Sequence, residues 1–72
     1  MPLSMMQVGQ KGRVLRISGP EATRKHLGSL GFVPGGTVQV VCALNDNLII
    51  AIHDSRIAIN GGTANHVFVE AV

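Results

Sequence analysis

Short apolar runs, each interrupted by glycine, proline or asparagine, repeat along the whole chain. In the run TVQVVC, alternation places Val38, Val40 and Cys42 on one face of a predicted strand, the face that points to the core. Residues 45–47 are Asn, Asp and Asn, which tolerate left-handed backbone and bond their own main chain, so they predict a turn. A second strand over residues 48–53 completes a hairpin.

The same interruptions define the remaining strands. The dipeptide Asp54-Ser55 predicts a turn into a third strand over residues 56–60, which the following glycine pair ends. A strand over residues 67–70 places alternate valines inward. The run over residues 12–18 mixes apolar residues with arginines, an imperfect alternation that indicates a bulge. About five short antiparallel strands predict a mainly β fold, a small barrel or sandwich.

One short helix is predicted after the first strand. Ser18, followed by Glu21 three residues later, matches a capping box, in which each side chain bonds the other residue's backbone N–H. Pro20 suits the first turn of such a helix.

The predicted helix ends at a well-marked turn. Gly31 can take the left-handed conformation just after the last helical residue, so that Phe32 packs on Leu27 in a Schellman motif. Pro34 prevents any continuation of the helix, and Gly35 follows it. These five residues are predicted to form a structural turn and not a binding site.

Composition predicts a single folded domain over residues 1–72. Apolar residues make up 46% of the chain and charged residues 14%, a balance typical of a globular protein. The lone cysteine allows no intramolecular disulfide, which favours a reducing cytosol. No apolar run approaches the ~20 residues of a membrane helix, and the first residues do not resemble a signal peptide. We therefore expect a cytoplasmic protein that is not embedded in a membrane.

The sequence offers few groups for catalysis. Glu21 is explained by the cap, Asp46 and Asp54 by turns, and Glu70 by a solvent-facing strand position. No glycine-rich loop precedes a Lys and a Ser or Thr, so a phosphate-binding P-loop is absent as well. The chain is expected to bind a partner and not to be an enzyme.

Several side chains are of the types that bind Zn²⁺ or Fe²⁺, the two metals considered as cofactors. They are Cys42, His26, His53, Asp54 and His66. Their spacing matches no recognised ligand pattern, and a lone cysteine on an inward face is usually a small core residue. Surface or structural roles are therefore favoured, and metal binding through His53, His66 and Cys42 is the alternative.

Basic residues exceed acidic residues by only two, six against four. A solvated face is their expected role, followed by contact with an acidic partner or with membrane headgroups. Nucleic acid comes last, because aromatic stacking platforms are missing. The expected docking face is the helix with its exit turn, where Arg24 and Lys25 are exposed.

The order of apolar residues and glycines resembles the FeoA family over nearly the whole chain. The most specific part is the segment LGFVPGGTV, residues 30–38, which is similar to the family's leucine, glycine, apolar, x, proline, glycine, x motif. The other matching positions are Leu3, Met6, Gly9, Gly12, Leu27, Val40, Ile52, Ile57, Ala58, Ile59, Ala64, Val67 and Val69.

The resemblance implies an SH3-like barrel with a helix inserted after the first strand. It also implies an accessory role in ferrous iron uptake, on the cytoplasmic side of the transporter FeoB, a membrane protein with a GTP-binding domain. Similar domains occur at the C-termini of metal-dependent transcriptional repressors, but this chain has no pair of helices that could read DNA. At Asn60-Gly61-Gly62 the family often has a charged helical turn, and a more flexible turn is expected here.

Overall fold

The computed structural model describes all 72 residues and contains five strands, two α-helices and a short 3₁₀ turn over Leu3–Met5. The strands are β1 (Lys11–Ile17), β2 (Thr37–Leu44), β3 (Asn47–Ile52), β4 (Ser55–Asn60) and β5 (Val67–Ala71), and the helices are α1 (Glu21–Ser29) and α2 (Gly61–Ala64). The strands are antiparallel and form one sheet in the order β4-β3-β2-β1-β5. The predicted mainly β fold, with a helix after the first strand, is confirmed. Neither helix combines the length and the apolarity needed to cross a membrane.

Inward-facing side chains of the sheet form most of a core of thirteen buried apolar residues. The segments outside the sheet supply its largest members, which are Phe32, Leu3 and Leu27, all fully buried. Leu3 comes from the 3₁₀ turn and Leu27 from α1. Both segments are therefore fixed to the sheet by the burial of large side chains, each of which stabilises the fold by roughly 1.5–3 kcal/mol.

A bulge in β2 changes which of its side chains face the core. Val40 pairs with Ile50, but Cys42 pairs with Ile49, so Val41 is an extra residue that resets the alternation. Because Ile50 is buried in the core, its neighbour Ile49 and the paired Cys42 point to the outer face. The prediction that Cys42 lies on the inward face is therefore wrong, and its side chain is only half-buried.

The two hairpin loops have the same form. Each has two residues, Asn45-Asp46 and His53-Asp54, and the first residue has a positive φ, 54° and 53° respectively. The turn expected at Asp54-Ser55 is displaced by one residue, because Ser55 already pairs with Ile52. A positive φ at the first loop position is what the type II′ turns of tight hairpins require.

The segment after β4 forms a helical turn. At Asn60-Gly61-Gly62 the chain therefore differs from the family pattern in lacking charge and not in conformation. Asn60 is the N-cap of α2, and its Oδ1 accepts a hydrogen bond from the Thr63 N–H at 2.7 Å. Ala64 at the end of this helix is fully buried. The cap and the buried alanine give the segment an order that the two glycines do not predict.

Candidate functional site

The exit turn of α1 has the two hydrogen bonds of a Schellman motif. The Phe32 N–H donates to the Leu27 carbonyl at 3.1 Å, and the Gly31 N–H donates to the Gly28 carbonyl at 3.1 Å. Gly31 has a φ of +107°. The apolar contact that usually accompanies this motif joins Phe32 to Leu27, which are both fully buried in one cluster.

The loop that follows this turn is fastened to β1. The Gly35 N–H donates to the Val14 carbonyl at 2.7 Å, and the Val14 N–H donates to the Gly36 carbonyl at 2.8 Å. Gly35 has a φ of +89° and Pro34 is exposed. The loop therefore connects the end of α1 to the middle of a core strand.

The start of α1 differs from the predicted capping box. Pro20 is the N-cap and no side chain caps the helix. Gly19, with a φ of +100°, breaks the helical backbone between Ser18 and Glu21, and neither residue makes the predicted side-chain bond to the other. The Ser18 N–H instead donates to the His66 carbonyl at 2.8 Å. The capping-box prediction is therefore wrong.

α1 exposes most of its surface. Leu27 is its only buried residue, and the side chains of Arg24 and Lys25 lie in solvent. The Lys25 Nζ is 3.1 Å from Glu21 Oε1, but both side chains are at least 70% exposed, so the pair contributes little to stability. The Arg24 guanidinium has no ion pair or side-chain hydrogen bond. One cation on this helix is therefore unpaired and accessible.

The three metal candidates lie in different parts of the fold. Cys42 is on the outer face of β2, His53 opens the β3–β4 loop, and His66 precedes β5. The His66 Nδ1 is 3.4 Å from the Ser18 hydroxyl. No three His, Cys, Asp or Glu side chains lie close enough together to hold a metal ion. The structure does not bring Cys42, His53 and His66 into a common site.

A bulge in β1 creates a cationic surface on the outer face of β1 and β5. The Arg16 guanidinium carbon lies 4.3 Å from the centroid of the Phe68 ring, and Arg13 Nη1 lies 3.4 Å from Glu70 Oε1. A bulge at Leu15, which the imperfect alternation predicted, puts Arg13 and Arg16 on the same outer face. In a regular strand these two arginines would point to opposite faces.

A surface cavity of about 460 Å³ lies where the β2–β3 hairpin meets α2 and the 3₁₀ turn. Its lining consists of Ser4, Asn45, Asp46, Leu48, Asn60, Gly61 and Gly62. The Gly61 N–H donates to the Asp46 carbonyl at 2.7 Å, which closes part of the wall. The lining holds one carboxylate, Asp46, and one hydroxyl, Ser4, and it holds no cation, imidazole or thiol.

Solved structures with the same fold include proteins of iron uptake. A crystal structure described as an iron uptake regulatory protein (FeoA) is 38% identical, with a TM-score of 0.93, over 100% of this chain and 97% of that chain. FeoA from Stenotrophomonas maltophilia is 25% identical, with a TM-score of 0.87, over 97% of this chain and 89% of that chain. That protein was crystallised with zinc and is described as an SH3 domain protein and a candidate activating factor for ferrous iron transport.

More distant structures share the fold alone. A manganese-dependent transcriptional repressor is 18% identical, with a TM-score of 0.92, over 100% of this chain and 36% of that chain. No curated protein sequence matches the chain.

A family model described as the FeoA domain matches residues 1–71. The matched range includes all five strands, α1 with its exit turn, and α2. Proteins of this kind are associated with ferrous iron transport and have an SH3-like fold. This chain belongs to the FeoA domain family.

Proposed function

We propose that this chain is a non-catalytic accessory protein of ferrous iron uptake, which acts in the cytoplasm by docking on a FeoB-type membrane transporter. Its membership of the FeoA domain family supports the link to ferrous iron transport. The observation that carries the docking step is the surface of α1. This helix is fixed to the core by one buried residue and presents an unpaired cation to solvent.

The docking face that we propose consists of α1 with Arg24 and Lys25. The Schellman turn and the burial of Leu27 hold the helix in place, so its backbone needs little reordering on binding. An unpaired arginine contributes most to association when the partner surface is acidic. The expected contact on the transporter is therefore a negatively charged patch of its cytoplasmic part.

The placement of the four carboxylates supports a role without catalysis. Glu21 is paired with Lys25 and Glu70 with Arg13. Asp46 and Asp54 lie in two different hairpin loops. No pair of these acids is arranged to divide acid and base roles about a substrate, which is what hydrolytic or group-transfer sites need.

The test combines iron uptake with co-purification. Deletion of the gene should lower ferrous iron uptake, and the wild-type chain should restore uptake and co-purify with the transporter. The double variant Arg24→Glu, Lys25→Glu should bind the transporter at least about tenfold more weakly, and the wild-type affinity should fall as salt is raised. The matched control is Lys11→Glu, Arg13→Glu, which changes the net charge by the same amount on β1.

Two results would contradict different parts of this proposal. If deletion leaves uptake unchanged and the chain does not co-purify with the transporter, the accessory function is wrong. If the control variant loses as much affinity as the α1 variant, the function stands but α1 is not the docking face.

A further inference from the structure

The two edges of the sheet differ in how they are covered. At one edge, β5 pairs with the N-terminal segment: the Met1 amino group donates to the Val69 carbonyl at 2.8 Å, and the Val69 N–H donates to the Met1 carbonyl at 2.7 Å. Pro2 forms a bridge to Phe68 beside them. At the other edge, β4 pairs only with β3, and no backbone hydrogen bond joins its outer side to another segment. One strand edge is therefore open.

The register shows which backbone groups point away from β3. The two-residue loop makes Ile52 and Ser55 a hydrogen-bonded pair, and such pairs then alternate along the antiparallel ladder. The residues of β4 at the intervening positions are Arg56, Ala58 and Asn60, so their N–H and C=O groups face outward. All three residues are exposed. These backbone groups are free to bind another strand, apart from the Asn60 C=O, which as the N-cap carbonyl accepts the first hydrogen bond of α2.

β4 lacks most of the features that protect an open edge. It pairs with β3 over six residues without a bulge, it contains no proline, and its only charge is Arg56. The adjoining outer face carries one apolar row, formed by Cys42, Ile49 and Ala58 across three strands. Leu44, at the end of β2, is 60% exposed. An open edge beside apolar surface favours the addition of a strand.

We propose that a second copy of this chain pairs with this edge, β4 against β4, antiparallel about a two-fold axis at Ala58. In this register Ala58 faces its own counterpart, and Arg56 faces Asn60 of the second copy. Every outward N–H of the three residues then obtains an acceptor, with the Asn60 C=O taking a second hydrogen bond beside that of α2, and the two arginines stay apart.

The occupant is a second copy because the edge is complementary to itself. A two-fold contact requires a surface that fits its own image. The segment RIAIN carries its cation near one end and an uncharged amide at the other, so the antiparallel arrangement brings no like charges together. The apolar row of one copy also continues into the same row of the other. The paired edge is one six-residue strand, a small contact beside the roughly 1,200 Å² of a stable interface, so the proposed dimer is weak and depends on concentration.

The test is sedimentation equilibrium of the full chain from micromolar to millimolar concentration. The average mass should rise above the 7.6 kDa of one copy as the concentration increases. Ala58→Lys places two like charges at the axis and should weaken association at least about tenfold. Ala58→Thr is the matched control, since it keeps the N–H and the strand propensity without charge, and it should associate like the wild type. The wild type and both variants should unfold at similar midpoints, because residue 58 is exposed.

A second variant tests the backbone directly. Ala58→Pro removes the outward N–H, but that group takes no part in the ladder with β3, and proline is tolerated on the open side of an edge strand. The variant should stay folded and monomeric. In the wild type, amide resonances of Arg56 and Ala58 should shift with concentration. The proposal is overturned if the wild type keeps the mass of one copy throughout, if Ala58→Lys associates as well as the wild type, or if the shifts map elsewhere.

Discussion

Ile52 lies so close to Gly31 that a Cβ added at residue 31 would come within 2.9 Å of Ile52 Cγ2. The φ of Gly31 is +107°, which L side chains rarely adopt. Ile52 is only 3% exposed and belongs to the core, so it cannot move aside freely. Two separate effects therefore require glycine at the exit turn of α1, one from the backbone and one from packing.

The first prediction separates these two effects with a matched pair of variants. A Cβ added at Gly35, where φ is +89°, would have no other atom within 4 Å. Gly35→Ala should therefore lower the free energy of unfolding by about 1–2 kcal/mol, through backbone strain alone. Gly31→Ala should cost about 1–3 kcal/mol more, because the added methyl overpacks the core. Denaturant unfolding of both variants gives the comparison. Equal losses would mean that Ile52 does not restrict residue 31.

The second prediction concerns the contact between Gly19 and His66. A Cβ at Gly19, where φ is +100°, would lie 2.8 Å from His66 Nδ1. Gly19→Ala should therefore destabilise the fold by about 2–3 kcal/mol, and part of that loss should disappear when His66→Ala removes the ring. A double-mutant cycle should give a coupling of about 1 kcal/mol. Additive losses would show that the imidazole moves away without cost.

The cap of α2 supplies the third prediction. Asn60→Ala removes the acceptor for the Thr63 N–H, which should lower the free energy of unfolding by about 1 kcal/mol. Asn60→Asp keeps an oxygen at this position and should retain most of the stability. For a chain of this size a loss of 1 kcal/mol corresponds to a fall in Tm of about 4–8 °C. An alanine variant that melts with the wild type would show that α2 is held by the burial of Ala64 alone.

The parts of the fold that the sequence predicted well are those fixed by local chemistry. The Asn-rich turn after β2 and the glycine after α1 each require a backbone conformation that few residues adopt. The alternation before each turn then defines the strands. The exit turn is predictable for the same reason, since Gly31 and Phe32 are spaced as a Schellman motif requires.

The errors arose where pairing between strands overrides the local pattern. The bulge at Val41 exists only in relation to β3, and it moves Cys42 from the predicted inward face to the outer face. Ser18 matched a cap by spacing alone, but its backbone N–H is bonded to His66, far along the chain. Contacts of this kind cannot be read from the sequence spacing of one segment.

The last prediction concerns metal binding by the free chain. Structural Zn²⁺ sites need about four ligands in tetrahedral geometry, and no three His, Cys, Asp or Glu side chains of this fold lie together. Titration of the untagged chain with Zn²⁺ in a calorimeter should therefore give no saturable one-to-one transition. The double variant His53→Ala, His66→Ala should give the same isotherm as the wild type, and so should Cys42→Ser. A stoichiometric transition that these substitutions abolish would instead mean that the chain rearranges to bring the three residues together around the metal.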